Sequence, residues 1–207
     1  MTAPHDLEQV LAPLVASFVC KHPDVQIAIE LSQRMVDLVG EGFDIALRAS
    51  GTMPDSSLIA RRIGSASGYL YASPRYLERR GEPQSPADLT QHACIVLGPR
   101  RPHARWVLTD GDHEVDATLD GTIWVNDPSF ARLCAEAHAG VAFLPLVGDP
   151  GARLVRVLPS WRMRDDSGLY VVYPSAAHLS ASVRAFRDHL IEGFAAMFNP
   201  AASAARA

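Results

Sequence analysis

The chain has 207 residues, of which 48% are hydrophobic and 20% charged, a composition typical of a globular protein with one large domain or two small lobes. Its formal net charge of −4 argues against direct binding of duplex DNA, which requires a basic surface. No apolar run approaches the ~20 residues of a membrane span, and the N-terminus lacks the pattern of a secretory signal.

The first predicted helix carries an apolar stripe at helical spacing and stops before His22-Pro23. Asp6 followed by Gln9 resembles a capping box at its start. Pro13 conflicts with a straight helix, so the helix either begins nearer Gln9 or bends at its first turn. The stripe consists of Leu7, Val10, Leu11, Leu14, Val15 and Phe18.

Strands and helices are then predicted in alternation. Residues 25–31 alternate apolar and polar as in a strand, and a short helix over residues 33–39 ends at Gly40. Residues 43–47 are a mostly apolar run typical of a buried strand that ends at a polar loop, and residues 58–63 predict another strand. This alternation favours a parallel sheet.

The middle of the chain has its own strand and turn signals. Residues 69–72 predict a strand, and Ser73-Pro74 and Ser85-Pro86 each place a capping serine before a proline at the first helical position. Residues 94–97 predict a strand. Two further strands flank Asp110-Gly111, which is typical of a hairpin turn.

The last third begins with a helix from Asn126-Asp127-Pro128, in which a capping residue precedes proline and Gly140 ends the element. Its predicted apolar face contains Phe130, Leu133, Cys134 and Ala137. Strands follow at residues 141–145, 153–158 and 169–173. A final helix is capped by Ser180 or Ser182, and residues 199–207 are predicted to be disordered.

Several residues invite chemical interpretations that the sequence does not favour. Arg100, Arg101 and Arg105 could form an anion patch, although a solvated loop is the simpler interpretation. Asp residues around His113 fit a turn better than a metal site. Residues 64–68 have no serine at the nucleophile-elbow position. Cys20, Cys94 and Cys134 are widely spaced and predict reduced, core-filling thiols of a cytoplasmic protein.

A family resemblance begins in the run DLVGEGFDIALR from Asp37 to Arg48 and continues through Asp55 to Arg61. These residues resemble the effector-binding domain of LysR-type transcriptional regulators. Each piece is short, but many of them occur in one order along nearly the whole chain. The further matching segments are residues 11–14, 22–25, 71–77, 86–89, 92–95, 126–127, 139–145, 154–159 and 172–175.

The resemblance implies an α/β fold of two Rossmann-like lobes, with the type 2 architecture of periplasmic binding proteins and a ligand cleft between the lobes. Residues 1–67 and 174–207 are expected to form the first lobe, and residues 68–173 the inserted second lobe. The winged helix-turn-helix expected before Thr2 is absent from the sequence, so DNA binding is expected only through that missing N-terminal domain.

Two helix starts and one strand end are candidates for the ligand site. Thr2 and His5 precede the first helix, Arg48, Ala49 and Ser50 follow the buried strand, and the second helix start supplies Asn126, Asp127, Ser129 and Phe130. Helix N-termini and an arginine suit a carboxylate. Simpler interpretations remain open for each residue: a strand-end hydroxyl, a loop histidine, an ion-paired arginine, a capping residue or a core phenylalanine.

The resulting prediction is a non-enzymatic sensor that binds a small organic acid and controls transcription, without a metal or cofactor. The resemblance also implies a homodimer, and a tetramer of the full-length protein, through helices near residues 7–21 and 128–138. A solute-binding protein of a transport system is the alternative. An enzyme is the less favoured one, because no catalytic or nucleotide-binding motif is present.

Overall fold

The computed structural model describes residues 1–50, 58–65, 68–145, 152–164, 168–174 and 179–198. Its α-helices are α1 (Glu8–Lys21), α2 (Pro74–Arg80), α3 (Pro128–Glu136) and α4 (Ala181–Phe198). Its strands are β1 (Thr2–Ala3), β2 (Glu30–Leu31), β3 (Ala46–Ser50), β4 (Ile59–Ser65), β5 (Tyr69–Ala72), β6 (Cys94–Leu97), β7 (Ala104–Thr109), β8 (Glu114–Leu119), β9 (Gly121–Val125), β10 (Val141–Leu144), β11 (Val155–Val157), β12 (Arg162–Met163) and β13 (Gly168–Tyr173).

The chain folds into two compact units. The first comprises Met1–Ala66 and Asp166–Ala207, and the second comprises Ser67–Asp165. β13 pairs with β3 and β4 in the first unit, whereas the predicted boundary placed residues 168–173 in the second lobe. The chain therefore returns to the first unit before this strand, because the apolar run of β13 fills the position between β3 and β4 in the first sheet.

The first unit contains a five-stranded sheet in the order β2-β1-β3-β13-β4. β1 is parallel to β2 and β3, while β13 runs antiparallel to both of its neighbours. The predicted parallel sheet is thus mixed, because the strand that enters it from the end of the chain runs in the opposite direction.

α1 and α4 pack against each other beside this sheet. The rings of Phe18 and Phe186 lie 4.9 Å apart, and Ser17 Oγ lies 2.9 Å from His189 Nε2. Gly193 permits the close crossing, since a Cβ there would lie 2.3 Å from Leu14 Cδ2. α1 begins at Glu8 and includes Pro13, and its N-cap residue, Leu7, makes no side-chain cap hydrogen bond. The capping box of Asp6 and Gln9 stays a prediction.

The second unit contains a five-stranded sheet in the order β11-β5-β10-β6-β9 and an antiparallel sheet in the order β12-β7-β8. A cluster that includes Leu70, Trp106 and Leu108 fills one side of the larger sheet. A second cluster joins α3 to the other side through Ala131 and Ala135. The hairpin predicted around Asp110-Gly111 is confirmed by the pairing of β7 with β8.

Several local predictions differ from the structure. Residues 33–37 are irregular and residues 38–42 form a turn rather than the end of a helix, because Asp37 Oδ1 accepts from Gly40 N at 3.1 Å and stabilises the turn. The strand predicted at residues 43–47 starts three residues later, as β3. Only Glu30–Leu31 of the strand predicted at residues 25–31 is paired. β1, β9 and β12 were not predicted, because they are short and have no distinctive alternation.

The caps of α2, α3 and α4 match their sequence signals. Ser73 Oγ accepts from Tyr76 N, Asp127 accepts from Phe130 N, and Ser180 Oγ accepts from Val183 N. All three cysteines are free thiols, but Cys20 is exposed rather than core-filling. The predicted disorder of residues 199–207 lies outside the described residues. None of the described helices is long and apolar enough to cross a membrane.

Candidate anion-binding site

Thr2 lies in β1, an interior strand of the first sheet between β2 and β3. Its backbone N donates to Ile45 O at 3.0 Å, and its side chain is fully buried. Its Oγ1 has no hydrogen-bond partner among the described residues. A buried hydroxyl usually makes a hydrogen bond, so this atom has an unused capacity to bind a ligand.

Arg48 lies within β3 rather than in a loop after it. Only 8% of the residue is exposed. Its Nη1 donates to Leu47 O at 3.1 Å, whereas Nη2 has no hydrogen-bond partner among the described residues. No carboxylate of those residues forms an ion pair with it.

Burial lowers the pKa of Arg48, and the nearby positive charge of Arg34 lowers it further. Arg34 donates to both carboxylate oxygens of Glu41, at 2.8 Å and 2.6 Å. Arg34 was not among the predicted site residues, and its exposed position between two acidic residues gave no signal for that role. Both effects disfavour the charged form of Arg48, and no described carboxylate contacts the guanidinium to offset them.

The Thr2 and Arg48 side chains share one face of the first sheet. Thr2 lies opposite Ala46 in the register of β1 and β3, and Arg48 is two residues further along β3. Because side chains alternate between the faces of a strand, positions 46 and 48 project to the same side as Thr2. A hydroxyl donor and a guanidinium donor thus lie on neighbouring strands of one face.

The other predicted residues of the first unit have different positions. Ala49 is exposed and follows Arg48 on the opposite face of β3. Ser50 is the last residue of β3 and pairs with Gly168. His5 is half-buried in a short 3-10 helix, His5–Leu7, that leads directly into α1.

The second group of predicted residues lies at the start of α3, in the second unit. Asp127 Oδ1 accepts from Phe130 N at 2.8 Å, so this carboxylate caps the helix. Asn126 is exposed and Ser129 is half-buried. Phe130 is 55% exposed, which excludes its interpretation as a core residue.

Alternative sites in the second unit have structural explanations. Arg105 forms an ion pair with Asp116 on the neighbouring strand. Asp110 Oδ1 accepts from the backbone N of Asp112 and His113, and these bonds, chiefly that of His113, lower the pKa of the carboxyl. In the described part of the chain, no group of three His, Cys, Asp or Glu side chains could hold a metal ion.

Comparison with known proteins identifies the class. Residues 1–195 match the family model of the LysR substrate binding domain. An uncharacterized HTH-type transcriptional regulator of Haemophilus influenzae is 34% identical over 178 residues, which cover 84% of this chain and 61% of that protein. An HTH-type transcriptional regulator of Xanthomonas campestris is 34% identical over 195 residues, which cover 87% of this chain and 54% of that protein.

Solved structures show the same fold. The regulatory domain of CrgA, a LysR-type transcriptional regulator from Neisseria meningitidis, aligns with a TM-score of 0.81 at 26% identity and covers 93% of this chain and 96% of that one. The regulatory domain of AphB from Vibrio vulnificus aligns with a TM-score of 0.74 at 27% identity and covers 92% and 96% of the two chains.

The chain belongs to the LysR substrate-binding domain family, as its sequence predicted. Its α/β fold is that of the LysR-type regulatory domains, which resemble type 2 periplasmic binding proteins. The matched relatives are transcriptional regulators, not enzymes. This chain spans between 54% and 61% of the length of the two curated relatives described above.

Proposed function

We propose that this chain is the effector-binding domain of a transcriptional regulator and that its effector is a small organic anion, in the first instance a carboxylate. The observation that carries the proposal is the buried Arg48 guanidinium, whose Nη2 has no hydrogen-bond partner among the described residues. A buried charge without a partner is unfavourable, and an anionic ligand removes that cost.

The ligand is expected to accept hydrogen bonds from Arg48 Nη2 and Thr2 Oγ1. A hydrogen bond to a charged group contributes about 1.5–3 kcal/mol, which corresponds to about a 10- to 100-fold change in affinity. Arg48 therefore supplies much of the affinity, and Thr2 orients the anion. The other predicted ligand residues rest on the family resemblance and stay predictions. They are His5, Ala49, Ser50, Asn126, Asp127, Ser129 and Phe130.

Ligand binding controls transcription through a shift between conformations of the domain. The shift is limited by the difference in ligand affinity between those conformations. DNA binding belongs to a helix-turn-helix domain outside the matched region. The acidic net charge of this chain supports the assignment of DNA binding to a separate domain.

The domain is proposed to act as a homodimer, within a tetramer of the full-length regulator. α3 exposes Phe130 and Leu133, which are 55% and 59% exposed. α1 exposes Ala12, Ala16 and Val19 at helical spacing. Apolar side chains on one exposed helix face support an interface between protein chains.

Thermal unfolding in the presence of small anions tests the effector proposal. Acetate, succinate, benzoate and inorganic phosphate are the probes, and at least one of them is expected to raise the Tm. Arg48→Met should abolish that rise, because it removes the charged donor. Arg34→Met is the matched control, since it removes the same charge from an exposed position nearby. The proposal fails if the two variants respond equally to every probe.

A further inference from the structure

A surface pocket of about 570 Å³, the α2 pocket, lies in the second unit beside the end of α2. Residues 79–83 line one part of it, and Asp88, Gln91 and His92 line the rest. The second group belongs to a 3-10 helix, Pro86–Gln91, and to the residue that follows it. None of the residues predicted for the effector site lines this pocket. Its volume is typical of a pocket that binds a small molecule.

Two arginines of the α2 pocket are held in place by main-chain carbonyls. Arg80 Nη2 donates to Gln91 O at 3.0 Å, and Arg79 Nη2 donates to His138 O at 3.1 Å. The other N–H groups of both guanidiniums make no hydrogen bond or ion pair within the part of the chain that the structure describes. Basic residues in a last helical turn stabilise the helix dipole, which explains their charge but not their fixed positions. A side chain that is already anchored loses less conformational entropy when it binds a ligand.

His92 supplies a further donor. Ala93 N donates to Tyr76 Oη at 2.9 Å, and this oxygen lies 3.2 Å from His92 Nδ1. Because Tyr76 is buried, its hydroxyl hydrogen requires an acceptor, and Nδ1 is the acceptor within reach among the described residues. The proton of the neutral ring therefore lies on Nε2, which has no described partner. Burial lowers the pKa of His92, and the charge of Arg80 lowers it further against the opposing effect of Asp88, so the ring is neutral at pH 7.

The α2 pocket also contains acceptors. Glu82 is exposed, and its carboxylate forms no ion pair with a described residue. Asp88 Oδ2 accepts from Gln84 N and from Ser85 N, each at 2.9 Å, and these bonds lower the pKa of the carboxyl. The two carboxylates offset the charge of the two arginines. The lining therefore suits a ligand that carries both an anionic group and hydroxyl donors better than it suits an anion alone.

We propose that the α2 pocket binds the phosphate ester of a small hydroxylated molecule. Arg79, Arg80 and the Nε2–H of His92 donate to the phosphate, whose acceptor oxygens outnumber those of a carboxylate. The guanidinium fork matches phosphate geometry, so Arg79 and Arg80 each bind more than one oxygen. Hydroxyl groups of the ester donate to the carboxylates of Glu82 and Asp88. This site does not depend on the proposed function, because all of its residues lie in the second unit.

Titrations of the isotope-labelled whole chain, followed by NMR of the backbone amides, test the proposal. The probes are ribose 5-phosphate, ribose and inorganic phosphate, and the amides of Gly81 and His92 report on the pocket. Ribose 5-phosphate is expected to shift these signals in a saturable way, and ribose should leave them unchanged. Inorganic phosphate should bind about tenfold more weakly, because it lacks the sugar hydroxyls. The amides of Thr2 and Arg48 report on the effector site in the same spectra, so failure of either proposal is seen separately.

Arg80→Gln is expected to weaken the binding of ribose 5-phosphate by about tenfold or more, because it removes a charged donor. Arg75→Gln is the matched control, since Arg75 is exposed on the same helix and does not line the pocket. Both substitutions are at exposed positions, and unchanged amide signals elsewhere in the second unit verify the fold of each variant.

Equal affinity of the two arginine variants overturns the proposal. It is also overturned if neither phosphate-containing probe gives a saturable shift, or if ribose binds as tightly as ribose 5-phosphate. Equal binding of inorganic phosphate and ribose 5-phosphate supports the phosphate site but overturns the role of the ester, and the ligand is then free phosphate.

Discussion

At the scale of single residues, burial separates side chains that the sequence presents as equivalent. The chain has many arginines, but Arg48 combines burial with a free Nη2 group in the described structure. Arg34, which lies close enough to lower the pKa of Arg48, is exposed and paired with Glu41. The sequence predicted Arg48 as a site residue through its place after an apolar run, and only the sheet register explains why it is buried.

Arg48→Met is expected to stabilise the domain in the absence of ligand by about 1 kcal/mol. The substitution loses one hydrogen bond to Leu47 O but removes an uncompensated buried charge, and the second effect is larger. Urea denaturation measures the difference. Arg34→Met should instead destabilise the domain by less than about 1 kcal/mol, because it breaks an exposed ion pair. Loss of stability in Arg48→Met would show that the guanidinium stabilises the fold itself.

The three cysteines also differ in how deeply they are buried. Cys94 is fully buried, and burial raises the pKa of its thiol to about 12. Cys20 is exposed on α1, and Cys134 is half-buried on α3. Three similar signals in the sequence therefore correspond to three different environments.

Iodoacetamide at pH 8 is expected to modify Cys20 and to leave Cys94 unmodified in the folded protein, because alkylation requires an accessible thiolate. Mass spectrometry of the digested protein measures both sites, and Cys20→Ser is the control for assignment. Since the folded pKa of Cys94 lies above its ordinary value of 9.0, its contribution to stability is complete below pH 9 and is lost as the pH rises toward about 12. Comparable modification of Cys94 and Cys20 would contradict this account.

At the scale of secondary structure, the local sequence predicts where a helix starts better than it predicts which face of the helix is buried. The cap of α3 was predicted correctly, but its apolar face was not. Ala131 and Ala135 pack on the sheet, whereas Phe130 and Leu133 point outward. Gly140 does not cap the helix either: His138 takes the left-handed conformation there, with a φ of 66°. Gly140 instead allows β10 to approach Ala93, whose O would lie 2.3 Å from an added Cβ.

Asp127→Ala is expected to destabilise the second unit by about 1 kcal/mol through loss of the cap on α3. The carboxylate accepts from Phe130 N at 2.8 Å and lies at the positive end of the helix dipole. Asp127→Asn keeps an acceptor at the same position and should retain most of the stability. Chemical denaturation of both variants measures the effect. Equal losses would show that charge rather than the capping bond is responsible.

At the scale of the whole molecule, contacts within one chain do not explain why large apolar side chains are exposed. Phe130 and Leu133 occupy one face of α3, and removing this face from water would favour association by about 25 cal/mol per Å² of buried apolar surface. The predicted dimer accounts for both residues.

The double substitution Phe130→Glu with Leu133→Glu is expected to convert a dimer to a monomer without changing the fold, because both side chains are exposed in the single chain. Light scattering after size-exclusion chromatography measures the molar mass, and circular dichroism checks the helix content. Arg75→Glu, on the exposed surface of α2, produces the same change of net charge and should leave the dimer intact. An unchanged molar mass in the double variant would exclude α3 from the interface.

The sequence by itself determined the family, the α/β class and the helix caps, because these depend on short ordered motifs and on hydrogen bonds between residues three apart. It did not determine which strands are neighbours. The place of β13 between β3 and β4, and that of β1 between β2 and β3, depend on pairings between residues far apart in the chain. Burial of Arg48 and exposure of Phe130 follow from those pairings, since the same side chain is buried or exposed according to what packs over its face. The tertiary structure alone therefore decided which predicted residues are buried with an unpaired polar atom and which expose an apolar side chain.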